Sequence, residues 1–143
     1  MQIEYNFVET EFNIPKEKDF RSVVESIFKD FETAPVDINY IFCKDEFLLE
    51  INRKFLNHDT YTDIITFESS HPELPADIYI SIERVGENAK QFNINFITEL
   101  YRVMIHGVLH LCGINDARSE EKLQMREYEN LYLSKINNNE NKL

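Results

Sequence analysis

Apolar and polar positions alternate over Ile3–Val8, and that period of two reads as an edge-type strand. The spacing changes over 16–31, where Phe20, Val23, Val24, Ile27, Phe28 and Phe31 recur at helical intervals after Pro15, a first-turn residue. Val36–Cys43 is again strand-like, and Asp45 opens an amphipathic helix through Phe47, Leu48, Ile51, Phe55 and Leu56. The β-branched run Thr62–Phe67 predicts a buried strand, and Ala76–Ile82 predicts another after a polar, proline-containing loop. A short helix over 83–91 leads into the most apolar stretch of the chain, a long helix from about Asn95 to Cys112 that Gly113 ends in a left-handed conformation. Ser119 and the acidic residues after it open a last helix whose apolar positions are Leu123, Met125, Tyr128 and Leu131. Residues 1–136 read as one domain and 137–143 as a frayed tail. Mixed elements of this kind predict an α+β fold, a four-stranded sheet covered by helices.

Composition narrows the class. The 143 residues, 43% hydrophobic and 13% aromatic, are enough for one core. No run has the length of a membrane span, and the first residues lack the features of a secretory signal. A cytoplasmic location without a membrane partner is the expectation. Cys43 and Cys112 lie in apolar segments and read as buried free thiols. The net charge of −11 argues against a general nucleic-acid-binding module, because such proteins carry basic excess. It leaves room for a nuclease whose contact with nucleic acid is local and assisted by a metal, a partner or a small basic patch.

The chemistry concentrates in the long helix. His106 and His110 stand four residues apart and share one helical face, and Asp116 follows the terminating glycine. Two imidazoles and a carboxylate returned by the turn form a ligand set for one divalent metal, with a fourth tetrahedral position left for water. The spacing matches that of metzincin-type proteases, but Gly107 stands where those enzymes carry the glutamate base, which disfavours proteolysis. His58 and His71 sit in polar loops and read as surface residues. Phe92, Phe96 and Tyr101 read as core, and the acidic residues from Glu120 to Glu129 as a solvated helix face.

Three segments together carry a resemblance. HGVLHLCGIND from His106 to Asp116 resembles the H-G-x-L-H-L-x-G-Y-D-H signature of the YbeY-type metal-dependent endoribonucleases of ribosomal RNA maturation. INRKFLNHDTYTDIITF from Ile51 to Phe67 resembles that family's segment before and into a strand. ADIYISI from Ala76, with Asn88-Ala89 and Glu99, resembles the stretch preceding its histidine helix. The resemblance implies a zincin-like mixed sheet with a central histidine-bearing helix. It also implies one Zn2+ per chain at His106, His110 and Asp116, and cleavage of single-stranded ribosomal RNA at the ribosome, with ribosomal proteins as partners and no role for DNA. Asp63 and Glu99 are candidates for orienting ligands or moving protons. Two positions depart from the family pattern. Asp116 replaces its third histidine, giving a harder, anionic ligand, with Asn115 where the family carries Asp. Leu56 stands where the family carries an arginine, for which Arg53 or Arg102 is the candidate substitute. Loss of that arginine gives the alternative function, a ribosome-associated assembly factor with a mainly structural metal.

Overall fold

Two strands fill the middle of the sheet, and their sequences explain why. In the computed structural model, which describes residues 1–139 and side chains through residue 136, β2 (Ile38–Cys43) and β4 (Ala76–Ser81) pair in parallel. Both are mostly apolar, with Asn39, Asp77 and Ser81 the exceptions, and both are largely buried, as in strands covered on two faces. β1 (Ile3–Phe7) adds in parallel to the far side of β2, and β3 (Ile64–Phe67) adds antiparallel to β4, giving the order β1-β2-β4-β3. The sheet is therefore mixed and the fold α+β, as expected. β3 is an edge strand in which Ile65 alone is fully buried, which corrects the expectation of a buried strand.

Strand alternation divides the helices between the two faces. Ile38, Tyr40, Phe42, Ile78 and Ile80 join the main core with α1 (Glu17–Asp30), α4 (Phe96–Leu111) and α5 (Ser119–Asn139). Cys43 and Ile65, with Tyr79 and Phe67 at its margin, form a smaller cluster under α2 (Asp45–Leu56). α3 (Ile82–Gln91) follows β4 directly, capped by the Ser81 hydroxyl, which accepts from the Arg84 N–H at 3.2 Å. Ile82, placed in the strand by its apolar character, begins this helix.

Several sequence expectations shift in phase. α1 is entered through Lys16 in the left-handed region (φ 54°), so Pro15 lies ahead of the helix, outside its first turn. Ser119 is the first helical residue of α5, and the Glu121 carboxylate accepts from the Arg118 N–H at 2.9 Å. Met125, Tyr132, Leu133 and Ile136 form the buried stripe of α5, whereas Leu123 and Leu131 are exposed. That helix runs to Asn139, into the segment expected to fray; residues 140–143 of that segment lie outside the described residues. Phe92, expected in the core, is 52% exposed. Both thiols are free, with Cys43 buried and Cys112 only partly so.

Candidate metal centre

α4 does two jobs with one sequence. Leu100, Met104, Ile105, Val108 and Leu109 face the core, while Glu99, Arg102, His106 and His110 form a stripe along an open cleft of about 990 Å³. The helix approaches the sheet closely at Gly107. A Cβ built there would lie 2.9 Å from Ile78 Cδ1 and 3.2 Å from Ile64 Cδ1, so the missing side chain lets the helix settle on β3 and β4. The other walls of the cleft are β3, the end of α2 with the loop after it, and the first turns of α5.

The helix ends in a double backbone clasp. Gly113 (φ +87°) donates to the His110 carbonyl at 2.9 Å and Ile114 donates to the Leu109 carbonyl at 3.1 Å. Only glycine adopts that conformation without strain. The reversal returns Asp116 to the histidine face. Asp116 Oδ2 lies 3.3 Å from His106 Nε2 and its Oδ1 lies 3.6 Å from His110 Nε2. The imidazole centroids are 4.5 Å apart, with planes at 83°. One donor atom from each of the three residues falls within 4.8 Å of the others. A tetrahedral centre with bonds of about 2.0–2.1 Å separates its donors by about 3.3–3.4 Å. The His106–Asp116 distance matches that edge, the His110 contact runs to the other carboxylate oxygen and is slightly longer, and the two-nitrogen, one-oxygen donor set suits a borderline divalent ion such as zinc. The residues fit a metal.

Behind the histidines lies a buried ionic network. Glu129 on α5 is 5% exposed, and its Oε2 lies 2.7 Å from His106 Nδ1, within hydrogen-bond distance. Its Oε1 lies 3.3 Å from Arg102 Nη1, and Arg102 also donates to Asn130 Oδ1 at 2.9 Å. Arg102 Nε sits 3.4 Å from Glu99 Oε1. Glu129 is thus a buried partner of His106, not part of a solvated face. The sequence signal was there: Met125, Glu129, Tyr132, Leu133 and Ile136 share one face of α5, and the carboxylate sits on that apolar stripe.

The network moves the ionisation of its members. Burial pulls His106 down most strongly, but the Glu129 hydrogen bond with the charges of Glu129, Asp116 and Asp63 outweighs it, and the imidazole lies above its ordinary range. Burial and the neighbouring His106 lower His110. Burial raises both Asp63, whose Oδ2 accepts from Asn88 Nδ2 at 3.5 Å, and Glu99, despite the nearby arginines.

The remaining candidates divide. Asp63 and Glu99 line the cleft, as does Leu56. Arg53 does not; it is turned to the surface and pairs with Asp59, which removes the geometric basis for using it in the chemistry. Arg102, Lys122 and Arg126 are the lysine and arginine residues of the cleft wall, and the latter two come from α5. His71 is exposed, and His58 is an exposed residue on the cleft rim.

This is an α+β domain that presents two imidazoles and a carboxylate, a group able to hold a metal ion, to an open cleft. The chain belongs to the Endoribonuclease YbeY family, whose profile matches residues 4–137. That is a family of hydrolases acting on RNA. Similar relatives include an endoribonuclease YbeY of Flavobacterium psychrophilum, 49% identical over 128 residues, 89% of this chain and 91% of the relative. One of Christiangramia forsetii is 47% identical over 124 residues, 86% of this chain and 87% of the relative. The solution structure of TM1509 from Thermotoga maritima aligns with a TM-score of 0.63 at 29% identity, covering 92% of this chain and 88% of that one.

Proposed function

We propose that this chain is a zinc-dependent endoribonuclease that cuts single-stranded regions of ribosomal RNA during ribosome maturation or quality control in the cytoplasm. His106, His110 and Asp116 hold the ion. The observation that carries the reading is the spacing of those three side chains at the floor of an open cleft.

The charge of the cleft supports the dependence on metal. The carboxyl groups of Asp63, Glu68, Glu99, Asp116 and Glu129 line it against three cationic side chains, Arg102, Lys122 and Arg126. Asp116 stands beside the two histidines, so a divalent cation held there offsets the carboxylate that an incoming phosphodiester would otherwise face. The bound metal supplies Lewis acidity toward a phosphoryl oxygen and lowers the pKa of water. The protein supplies the rest. Arg102, Lys122 and Arg126 draw phosphates toward the α5 wall. Asp63 and Glu99 are the cleft carboxyls that burial raises above the ordinary range, and we assign to them the holding and moving of the proton that cleavage requires. The open form of the cleft suits a flexible single strand, and its acidity is offset at the ribosome by basic partner proteins.

The test uses purified zinc-loaded wild type and His110→Ala on a single-stranded ribosomal RNA fragment and on the same sequence in a duplex. Wild type is expected to cut the single strand, and His110→Ala at least about 100-fold more slowly. Equal cleavage by the two proteins, both shown folded by circular dichroism, would sink the assignment to this site.

A further inference from the structure

We propose that Glu129 is the positioning residue of His106, so that the last helix, α5, forms part of the metal centre without touching the ion. The inference rests on the metal reading above and deepens it.

A histidine ligand must present one unprotonated ring nitrogen and place its proton on the other. Glu129 Oε2 lies 2.7 Å from His106 Nδ1, and at that distance an ionised carboxylate requires the proton on Nδ1. Nε2 is then the bare donor, and it is the atom that faces Asp116 at 3.3 Å. The same bond fixes the plane of the ring, because Glu129 approaches from a separate helix 23 residues along the chain.

The carboxylate is itself held in place. Glu129 is buried, and a buried charge persists only when it is paired and hydrogen-bonded. Arg102 Nη1 at 3.3 Å supplies the pairing, and Asn130 Oδ1 steadies Arg102 from the next position on α5. Arg126 Nε, at 3.7 Å, adds a second cation from the exposed side. Each oxygen has a separate task, Oε2 toward the imidazole and Oε1 toward the guanidinium groups. A carboxylate with no functional duty would leave this stripe of α5 to an apolar residue like its neighbours Met125 and Leu133.

The decisive measurements need no RNA. Zinc affinity is read by competition with a chromophoric chelator for wild type, His106→Ala, Glu129→Ala and Glu129→Gln, and the protonated nitrogen of His106 by 15N NMR of the zinc-loaded proteins. Glu129→Ala is expected to weaken zinc about 10–100-fold. Glu129→Gln keeps an acceptor of the same size without its charge, so it is expected to fall between Ala and wild type while retaining the fold. His106 is expected to carry its proton on Nδ1 in wild type and to show a mixed or mobile ring in Glu129→Ala. A merely structural Glu129 would lower the melting temperature but leave zinc affinity per folded chain and the His106 resonances unchanged, and that result overturns the inference. If His106→Ala abolishes zinc binding while both Glu129 variants bind like wild type, this inference alone falls. If zinc binding survives His106→Ala, the metal site of the proposed function falls with it.

Discussion

Replacing Gly107 with alanine sets two known effects against each other at one atom. Alanine in a helix interior is favoured over glycine by roughly 0.5–1 kcal/mol. At this position the new methyl would lie 2.9 Å from Ile78 Cδ1 and 3.2 Å from both Ile78 Cγ2 and Ile64 Cδ1. The two terminal methyls swing aside at little cost, but Ile78 Cγ2 is fixed by its branch point and Ile78 is fully buried. Overpacking of that kind costs about 1–3 kcal/mol. The costs exceed the gain, so Gly107→Ala is expected to destabilise by about 1 kcal/mol, a fall of about 3 °C in melting temperature for a chain of this size. Because relief comes from lifting α4 off the sheet, zinc affinity is expected to drop as well, His106 moving relative to Glu129 on α5. Urea denaturation of the metal-free protein and chelator competition on the folded protein measure the two effects. A variant stabilised by about 0.5–1 kcal/mol, with unchanged zinc affinity, would show that the helix does not need this close approach.

Other outcomes follow from single contacts. Asn52, buried beside the cleft, donates to the Thr60 carbonyl at 2.9 Å and so ties the loop before β3 to α2; Asn52→Ala is expected to cost about 1 kcal/mol in urea denaturation. Asp116→Ala removes the anionic ligand, and its zinc affinity is expected to fall at least about 10-fold in chelator competition, with full retention arguing against its ligand role. Burial raises the Cys43 thiol from 9.0 to about 12. Its folded value is the higher one, so its stabilising effect is complete below the ordinary thiol range and is lost as the pH climbs from about 9 toward 12. Urea midpoints between pH 8 and pH 11 should therefore fall more steeply in wild type than in Cys43→Ala, and iodoacetamide at pH 8 should reach Cys43 only on unfolding.

How far the sequence spoke depended on whether one local signal settled each position. α4 was legible because its apolar period is strong, and Gly113 marked both the end of the helix and the turn that returns Asp116. The three side chains of the candidate centre lie within eleven residues, so one helix face and the turn at Gly113 bring them together. Glu129 escaped because the phase of α5 was set on Leu123 and Leu131, which point to solvent, and because acidic residues in a charged helix read as its wet face. The stripe of Met125, Tyr132, Leu133 and Ile136 marks its place, but only tertiary pairing with Arg102 and His106 makes that burial tolerable. Arg53 failed for the complementary reason: helical spacing sets the side of α2 it occupies, but the pairing with Asp59 that draws it outward comes from the following loop. β3 looked buried from its β-branched residues, since composition does not distinguish an edge strand from a central one.

Diffraction from crystals grown with zinc, with data collected at the zinc absorption edge, tests the central claim most directly. One anomalous peak per chain is expected, bonded to Nε2 of His106, Nε2 of His110 and a carboxylate oxygen of Asp116, with the cleft side of the ion left to solvent. A peak elsewhere on the chain, or none in crystals of protein that cuts RNA, would contradict it.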